Sequence, residues 1–423
     1  MRLPTALLLA ASLLLTGPGA SAQIGLPSVR LPDPTQTLPP LPSIGAEPLA
    51  TVDDMLAGLR LDRIATLLRQ NPDRVELDER GEPAVRAVLI ASGIDDAMVS
   101  RAAGEGFALL HREHIEGLGL DLARFRVPDG RSLGRARKQL AKLLPDAEVD
   151  VDNLYFASGG NAAAGHAPLS AALAATSGTG TAALGLIDGG VAAHPSVAGR
   201  VEQRGFATGA PAPSRHGTAV ASLLIGEGSV RGSAPGARLL AADVYGVDPV
   251  GGSASAIARA LGWLVQNGVA VTTISLVGPD NKLLAIAVTR AQQRGMLIVA
   301  AVGNDGPAAP PAYPASYRGV FAVTGVDTKG RALPEAGRAL HVDFAAPGEA
   351  VLAATGVAGT DRMRGTSFAA PLVAGRLARR YPAPSVDRIG PAIAGLVLEA
   401  RDIGKRGRDK IYGHGLICGT CGR

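Results

Sequence analysis

Two patterns of apolar residues divide the chain. Downstream of residue 182, short aliphatic runs at 184–188, 238–244, 271–276, 297–302 and 320–326 alternate with segments of helical period at 216–224, 253–266 and 282–294. A further helical pattern begins around Ser367. Strands that are apolar at every position and separated by helices predict a doubly wound, mostly parallel α/β sheet, which binds ligands outside the carboxyl ends of its strands. Upstream, residues 84–156 read as strand, helix, strand, strand, helix, strand, with strands near 84–91, 106–114, 118–127 and 148–154 and helices near 95–103 and 132–144. That order predicts a small ferredoxin-like α+β module in which two helices cover one face of an antiparallel sheet.

The segments between these units have their own character. Residues 157–180 are dominated by Gly, Ala and Ser and read as a flexible, cleavable connector ahead of a domain at 181–423. Gly178, Gly180 and Gly185 precede their strand instead of following it, so they do not read as a nucleotide loop. Within 51–81, Met55, Leu56, Leu59, Ile64, Leu67 and Leu68 recur at helical steps as far as Asn71-Pro72. Residues 23–50 are Pro-rich and predict an extended linker. Residues 1–22 combine Arg2, an apolar run and Ala20-Ser21-Ala22, the pattern of a signal peptide cleaved before Gln23. No later apolar run is long enough for a membrane span, so a secreted or periplasmic location is expected.

Composition sharpens this in two ways. Aromatic residues make up only 3% of the 423, so the core must be built from Ala, Val, Leu and Ile. The net charge of +5 is modest for this length and forms no dense basic stripe, so no nucleic-acid partner is expected. The run Lys405-Arg406-Gly407-Arg408-Asp409-Lys410 reads as a solvated loop. Cys418 and Cys421 are the two cysteines, and in an oxidising compartment a small terminal disulfide is expected of them. His111 and His114 lack the spacing of a zinc site, and no metal is expected there.

Candidate chemistry begins at Gly365-Thr366-Ser367-Phe368-Ala369-Ala370-Pro371, a hydroxyl presented at the start of an apolar helix. Pro371 is compatible with a first turn, whose N–H groups lack intrahelical partners. Taken alone, Ser367 fits a helix cap as well as a nucleophile. Asp188-Gly189-Gly190 ends one apolar run, His216-Gly217-Thr218 opens a helix, and Gly303-Asn304 ends another run. Each alone has an ordinary structural reading. Together they meet the needs of acyl transfer: Ser367 as nucleophile, His216 as base, Asp188 to orient the imidazole and Asn304 to donate to an oxyanion.

In these motifs, and in His194-Pro195, Ala346-Pro347-Gly348 and the chain order Asp, His, Ser, the sequence resembles the subtilisin-like serine proteases over residues 180–417. The resemblance implies an endopeptidase acting on protein or peptide substrates, made as a zymogen. Residues 82–156 would be its propeptide, acting as chaperone and then as intramolecular inhibitor; a monomer is expected. His194 would belong to a structural turn. Ser275, Leu276 and Val277 would pair with substrate backbone and wall the primary specificity pocket. Val277 stands where many relatives carry Gly, which argues against a deep pocket. Gly189 replaces a common Ser or Thr. The loop 225–231 holds one acid, Glu227, too few oxygen ligands for the calcium that many relatives bind there, so no cofactor is assigned. Two other readings remain open: a catalytically silent binding module on the same fold, and an esterase or peptide ligase using the same residues.

Overall fold

The structure, a computed structural model, describes residues 48–158, 183–248 and 251–422. The predicted signal peptide, all but the end of the Pro-rich linker and most of the predicted connector lie outside them. Helix α1 (Pro48–Gln70) opens the described chain and starts earlier than its apolar period suggested. Next come β1 (Val75–Leu77), β2 (Pro83–Ser92), α2 (Asp96–Gly104), β3 (Ala108–Ile115), β4 (Leu120–Arg126), α3 (Leu133–Leu143), β5 (Glu148–Asn153) and β6 (Phe156–Ala157). The sheet runs β3-β4-β2-β5, every pair antiparallel, with the short β1 added beside β2.

Alternation along these strands serves two different cores. Leu89, Ala91, Ala123 and Phe125 face α2 and α3. Ile90, Leu120 and Leu122 face the other way and join a core shared with the larger domain. Contact there is close enough to exclude side chains. A Cβ on Gly262 would stand 2.2 Å from Ile115 Cγ2, and one on Gly117 would stand 2.0 Å from the carbonyl of Gly262.

The larger domain contains β7 (Ala183–Asp188), β8 (Val201–Gly205), α4 (Arg215–Ile225), β9 (Arg238–Asp243), α5 (Ala254–Gln266), β10 (Val271–Ile274), β11 (Leu276–Val277), α6 (Lys282–Gln293), β12 (Leu297–Ala301) and β13 (Val320–Val326). It continues with β14 (Phe344–Pro347), β15 (Val351–Thr355), β16 (Gly359–Met363), α7 (Thr366–Ala378) and α8 (Val386–Glu399). Seven strands form one parallel sheet in the order β14-β13-β12-β10-β7-β9-β8. Successive residues point to opposite faces. Ile187, Leu240, Ala242, Ile298 and Ala300 pack with α5 and α6, while Leu186, Leu239, Ala241 and Val299 pack with α4 and α7. The sheet is therefore doubly wound, and β7 lies where the strand order reverses.

Two sequence expectations need correction. The apolar run at 271–276 is not one strand: it breaks at Ser275, and β11 leaves the main sheet to pair with β6. Pro371 does not sit in the first turn of α7 but is its sixth residue. The N–H it lacks would have bonded the carbonyl of Ser367. That carbonyl instead accepts the Ser275 hydroxyl at 3.1 Å, so the helix tolerates the proline.

Candidate active site

Three element ends converge at the switch point of the sheet. Asp188 is the last residue of β7 and is 1% exposed. His216 is the second residue of α4, whose start is held by Ser214, a side chain accepting the Gly217 N–H at 2.9 Å. His216 Nδ1 lies 2.8 Å from Asp188 Oδ1, which also accepts the Gly189 N–H at 2.7 Å. Since this carboxylate can only accept, the pair holds the proton on Nδ1 and leaves Nε2 basic.

Ser367 is the second residue of α7 and has no exposed surface. Gly365 caps that helix at φ 136°, a conformation that favours glycine. Asn304 follows Gly303, whose φ is +89°, just past the end of β12. Its Oδ1 accepts the Thr366 N–H at 3.0 Å, which ties the carboxamide to the helix that carries Ser367. The His216 ring packs on Phe368 at 5.4 Å between centroids, linking the two helix starts.

Three buried polar atoms at this site have no hydrogen-bond partner among the described residues: Asp188 Oδ2, His216 Nε2 and Asn304 Nδ2. Buried polar atoms are nearly always paired, so such a cluster needs a reason. Ser367 Oγ bonds Ser158 Oγ and the Ser275 carbonyl and not His216. Even so, a free imidazole nitrogen and a free amide donor on elements beside this serine suit a reaction that moves a proton and creates an oxyanion.

The hydroxyl of Ser367 is occupied by the chain itself. β6 lies antiparallel on β11, pairing Ala157 with Leu276 and Phe156 with Val277. Ser158 donates its N–H to the Ser275 carbonyl at 3.1 Å, and its Oγ stands 2.5 Å from Ser367 Oγ. Tyr155, fully buried, donates its N–H to the Gly252 carbonyl at 2.8 Å and its hydroxyl to the Pro279 carbonyl at 2.7 Å. Tyr245 in turn donates to the Tyr155 carbonyl at 2.9 Å; burial pushes its phenol well above the ordinary range, and nearby Asp188 and Asp243 add to this. The sequence pattern placed Ala157 and Ser158 in a connector, whereas here both are paired in the cleft. Helix α1 closes the same region through Arg63, 2.8 Å from the carboxylate of Asp305 beside Asn304.

Asp243 escaped the sequence reading. It ends β9 as Asp188 ends β7, and the two are paired in register. Its carboxylate accepts N–H groups from Ala212, Tyr245 and Gly246; burial nevertheless raises its proton affinity. The repeated apolar-run-to-Asp ending was a usable signal. His194 is buried in a turn with Ser196, and burial keeps its ring below the usual histidine range. Glu227 pairs with Arg200 at 2.8 Å. Cys418 and Cys421 are joined at the C-terminal end, with Cα atoms 5.2 Å apart.

A parallel sheet with a Ser, His and Asp gathered at its strand ends defines the class of serine hydrolases on doubly wound folds. The Subtilase family (peptidase S8) matches residues 178–415, and the chain belongs to that family. This domain is of the serine-type endopeptidase class. Minor extracellular protease Epr of Bacillus subtilis (strain 168) is 30% identical over 251 residues, which span 55% of this chain and 37% of Epr. Subtilisin BL of Lederbergia lenta is 35% identical over 200 residues, 46% of this chain and 73% of that protein. In fold, fervidolysin from Fervidobacterium pennivorans, a keratinolytic enzyme related to subtilisin, matches with a TM-score of 0.64 at 21% identity, covering 81% of this chain and 61% of its own. That coverage exceeds the family segment, so the likeness of fold extends into the N-terminal module. Among the described residues no helix is long and apolar enough to cross a membrane.

Proposed function

We propose that the chain is an exported serine endopeptidase, secreted or periplasmic, made as a precursor that cuts itself. In this reading residues 82–156 are its propeptide, and Ser158–Gly159 is the bond it cuts first. One observation carries the reading: the chain's own Tyr155–Ser158 segment lies along β11 as a substrate strand, with Ser158 beside Ser367.

The chemistry follows from the groups at hand. Ser367 Oγ attacks the Ser158 carbonyl while His216 Nε2 takes the hydroxyl proton. Asp188 holds the imidazole and stabilises its charged form. The oxyanion is met by Asn304 Nδ2 and by the Ser367 N–H in the first turn of α7. His216 then protonates the departing Gly159 amine, and water attacks the acyl-serine by the same route in reverse. Because the scissile bond is tethered at the cleft, its effective concentration is high and cutting is intramolecular. The cleaved module stays docked as an inhibitor until it dissociates or is degraded.

Expression of Ser367→Ala tests this. The mutant precursor should persist with residue 23 at its N-terminus, whereas the wild type should begin at Gly159. A mutant trimmed to the wild-type N-terminus in a host lacking suitable proteases would refute self-processing.

A further inference from the structure

We propose that the seam between the N-terminal module and the larger domain is a binding site for a small multivalent anion bearing phosphate or carboxylate groups. Both parts supply its walls, so the bound anion also holds the module in place. That second consequence rests on the reading of residues 82–156 as a propeptide; the site itself does not.

The seam contains a cleft of about 870 Å³, within the range of ~300–1,000 Å³ usual for small-molecule sites. Five arginines from five segments line it: Arg74 ahead of β1, Arg86 on β2, Arg124 on β4, Arg204 on β8 and Arg259 on α5. Four carboxylates line it too, and they do not use up this charge. Asp248 pairs with Arg74. Glu113 stands 3.8 Å from Arg259 Nε, beyond hydrogen-bond reach. Asp73 and Glu116 are exposed, where water solvates them.

The arginines keep donors in hand. The Arg86 N–H bonds the Arg74 carbonyl at 2.8 Å, which sets these two residues side by side. The Arg86 side chain has no ion pair among the described residues, and Arg204 lies over the Phe206 ring at 5.4 Å with none either. Arg124 reaches Asp152 at 3.2 Å and Arg259 donates to the Phe206 carbonyl at 2.9 Å. The Nε of each is nevertheless buried without a hydrogen-bond partner among the described residues. Buried N–H groups are nearly always paired, so these two point to acceptors supplied from outside the chain. Guanidinium groups select planar, paired oxygens, those of carboxylates and phosphates. One wall of the cleft is aromatic, with Phe206 and Trp263 5.8 Å apart between centroids. A ligand with several charged oxygens fits the arginines, and any flat or apolar part of it fits this wall.

Trp263 is the one tryptophan of the chain and reports on the cleft. The full Ser367→Ala chain, which keeps the module docked, is titrated with pyrophosphate and with citrate at constant ionic strength. A saturable change in Trp263 fluorescence is expected from at least one of them. Arg86→Ser combined with Arg204→Ser removes no internal ion pair and should weaken binding at least about 10-fold, the scale of one lost hydrogen bond to a charged group. Arg406→Ser, on the exposed loop near the C-terminus, should leave binding unchanged. The absence of a saturable change with either anion overturns the proposal. So does a response that the Arg86 and Arg204 double variant keeps in full.

A second arm tests the shared walls. The secreted enzyme, freed of the module, keeps only Arg204 and Arg259 of the five and should bind at least about 10-fold more weakly. Equal binding would place the site on the larger domain alone and overturn the assignment to the seam. In wild type the anion that binds should lengthen the lag before activity appears, because it binds the docked state and not the separated parts. An unchanged lag at saturation, with binding intact, overturns the hold on the module. A wild-type chain that is never cut refutes self-processing and leaves the fluorescence result standing.

Discussion

The centre around Ser367 and the face that carries the N-terminal sheet are both buried, yet they treat their buried aspartates in opposite ways. At the centre, Asp188 Oδ2, His216 Nε2 and Asn304 Nδ2 are left without partners among the described residues. At the docking face, both oxygens of Asp152 and of Asp150 are used. Asp152 accepts the N–H of Ser255 at 3.0 Å and its hydroxyl at 2.8 Å, and pairs with Arg124 at 3.2 Å. Asp150 accepts the N–H groups of Val151 and Lys282, both at 2.9 Å. Ser255 and Lys282 stand at the starts of α5 and α6, where acids are favourable. Burial without partners is costly, so a fold tolerates it where groups arriving during a reaction will complete the set. For Asp150 and Asp152 pairing is full, as suits a face that stays shut, although Glu113 Oε1, Arg124 Nε and Arg259 Nε beside them also lack hydrogen-bond partners among the described residues.

The largest effect should come from the centre. Asn304→Ala removes the free donor and should lower kcat by about 10²–10³ with KM little changed. That range is the loss that follows when subtilisin, a relative, is stripped of its side-chain oxyanion donor. A rise in KM at constant kcat would instead make Asn304 a ground-state binding residue and erase its contrast with the docking face.

The docking face should respond through release, not through chemistry. Gly262 lies on α5 with Ile115 pressed against it, so Gly262→Leu has no room while the module is docked. Overpacking costs about 1–3 kcal/mol, equivalent to a roughly 5- to 150-fold faster release of the cleaved module. The rise of activity after dilution of freshly processed protein measures this. An unchanged lag would mean that the sheet contributes little to latency and that α1 and β6 hold the cleft alone.

These two regions were unequally legible. Asp188, His216, Asn304 and Ser367 each sit at a strand end or helix start flanked by small residues, and that local pattern survives in sequence. Both sheet types could be anticipated too, because buried parallel strands and a half-buried antiparallel sheet leave different periods, although β8 and β14 of the large sheet were not. What local pattern could not show was contact between distant segments. Ala157 and Ser158 look like the start of a Gly/Ala linker, and only the pairing of this segment with β11 and Ser275 shows that it lies in the cleft. Ser275 sits inside an apolar run, so its break from the sheet was invisible without its bonds to Ser158 and Ser367. Asp150 and Asp152 drew no reading of their own within the strand near 148–154, since Lys282 and Ser255, which they bond, lie more than a hundred residues away.

Asp150 offers the smallest and most specific test. Burial raises its proton affinity, against the lowering effect of the Lys282 and Val151 N–H groups and of Arg80 and Arg137. The docked state therefore binds a proton more readily than the free module does. It follows that this group weakens docking above its raised pKa, and that the penalty is relieved as pH falls toward the ordinary value of 3.8. Other ion pairs at the face, such as Lys282 with Glu148, weaken over the same range, so only a difference isolates Asp150. Asp150→Asn keeps an acceptor for the Lys282 N–H but cannot ionise. At neutral pH the variant should hold its cleaved module as well as wild type or longer, because it lacks the buried charge. The advantage should shrink as pH drops and wild-type Asp150 takes up its proton. If Asp150→Asn instead released the module faster at neutral pH and equally fast in acid, the carboxylate charge would be a net attraction to the start of α6. The full pairing of the two aspartates would then be electrostatic in origin, and the acids of this face would hold the module by charge instead of merely satisfying its hydrogen bonds.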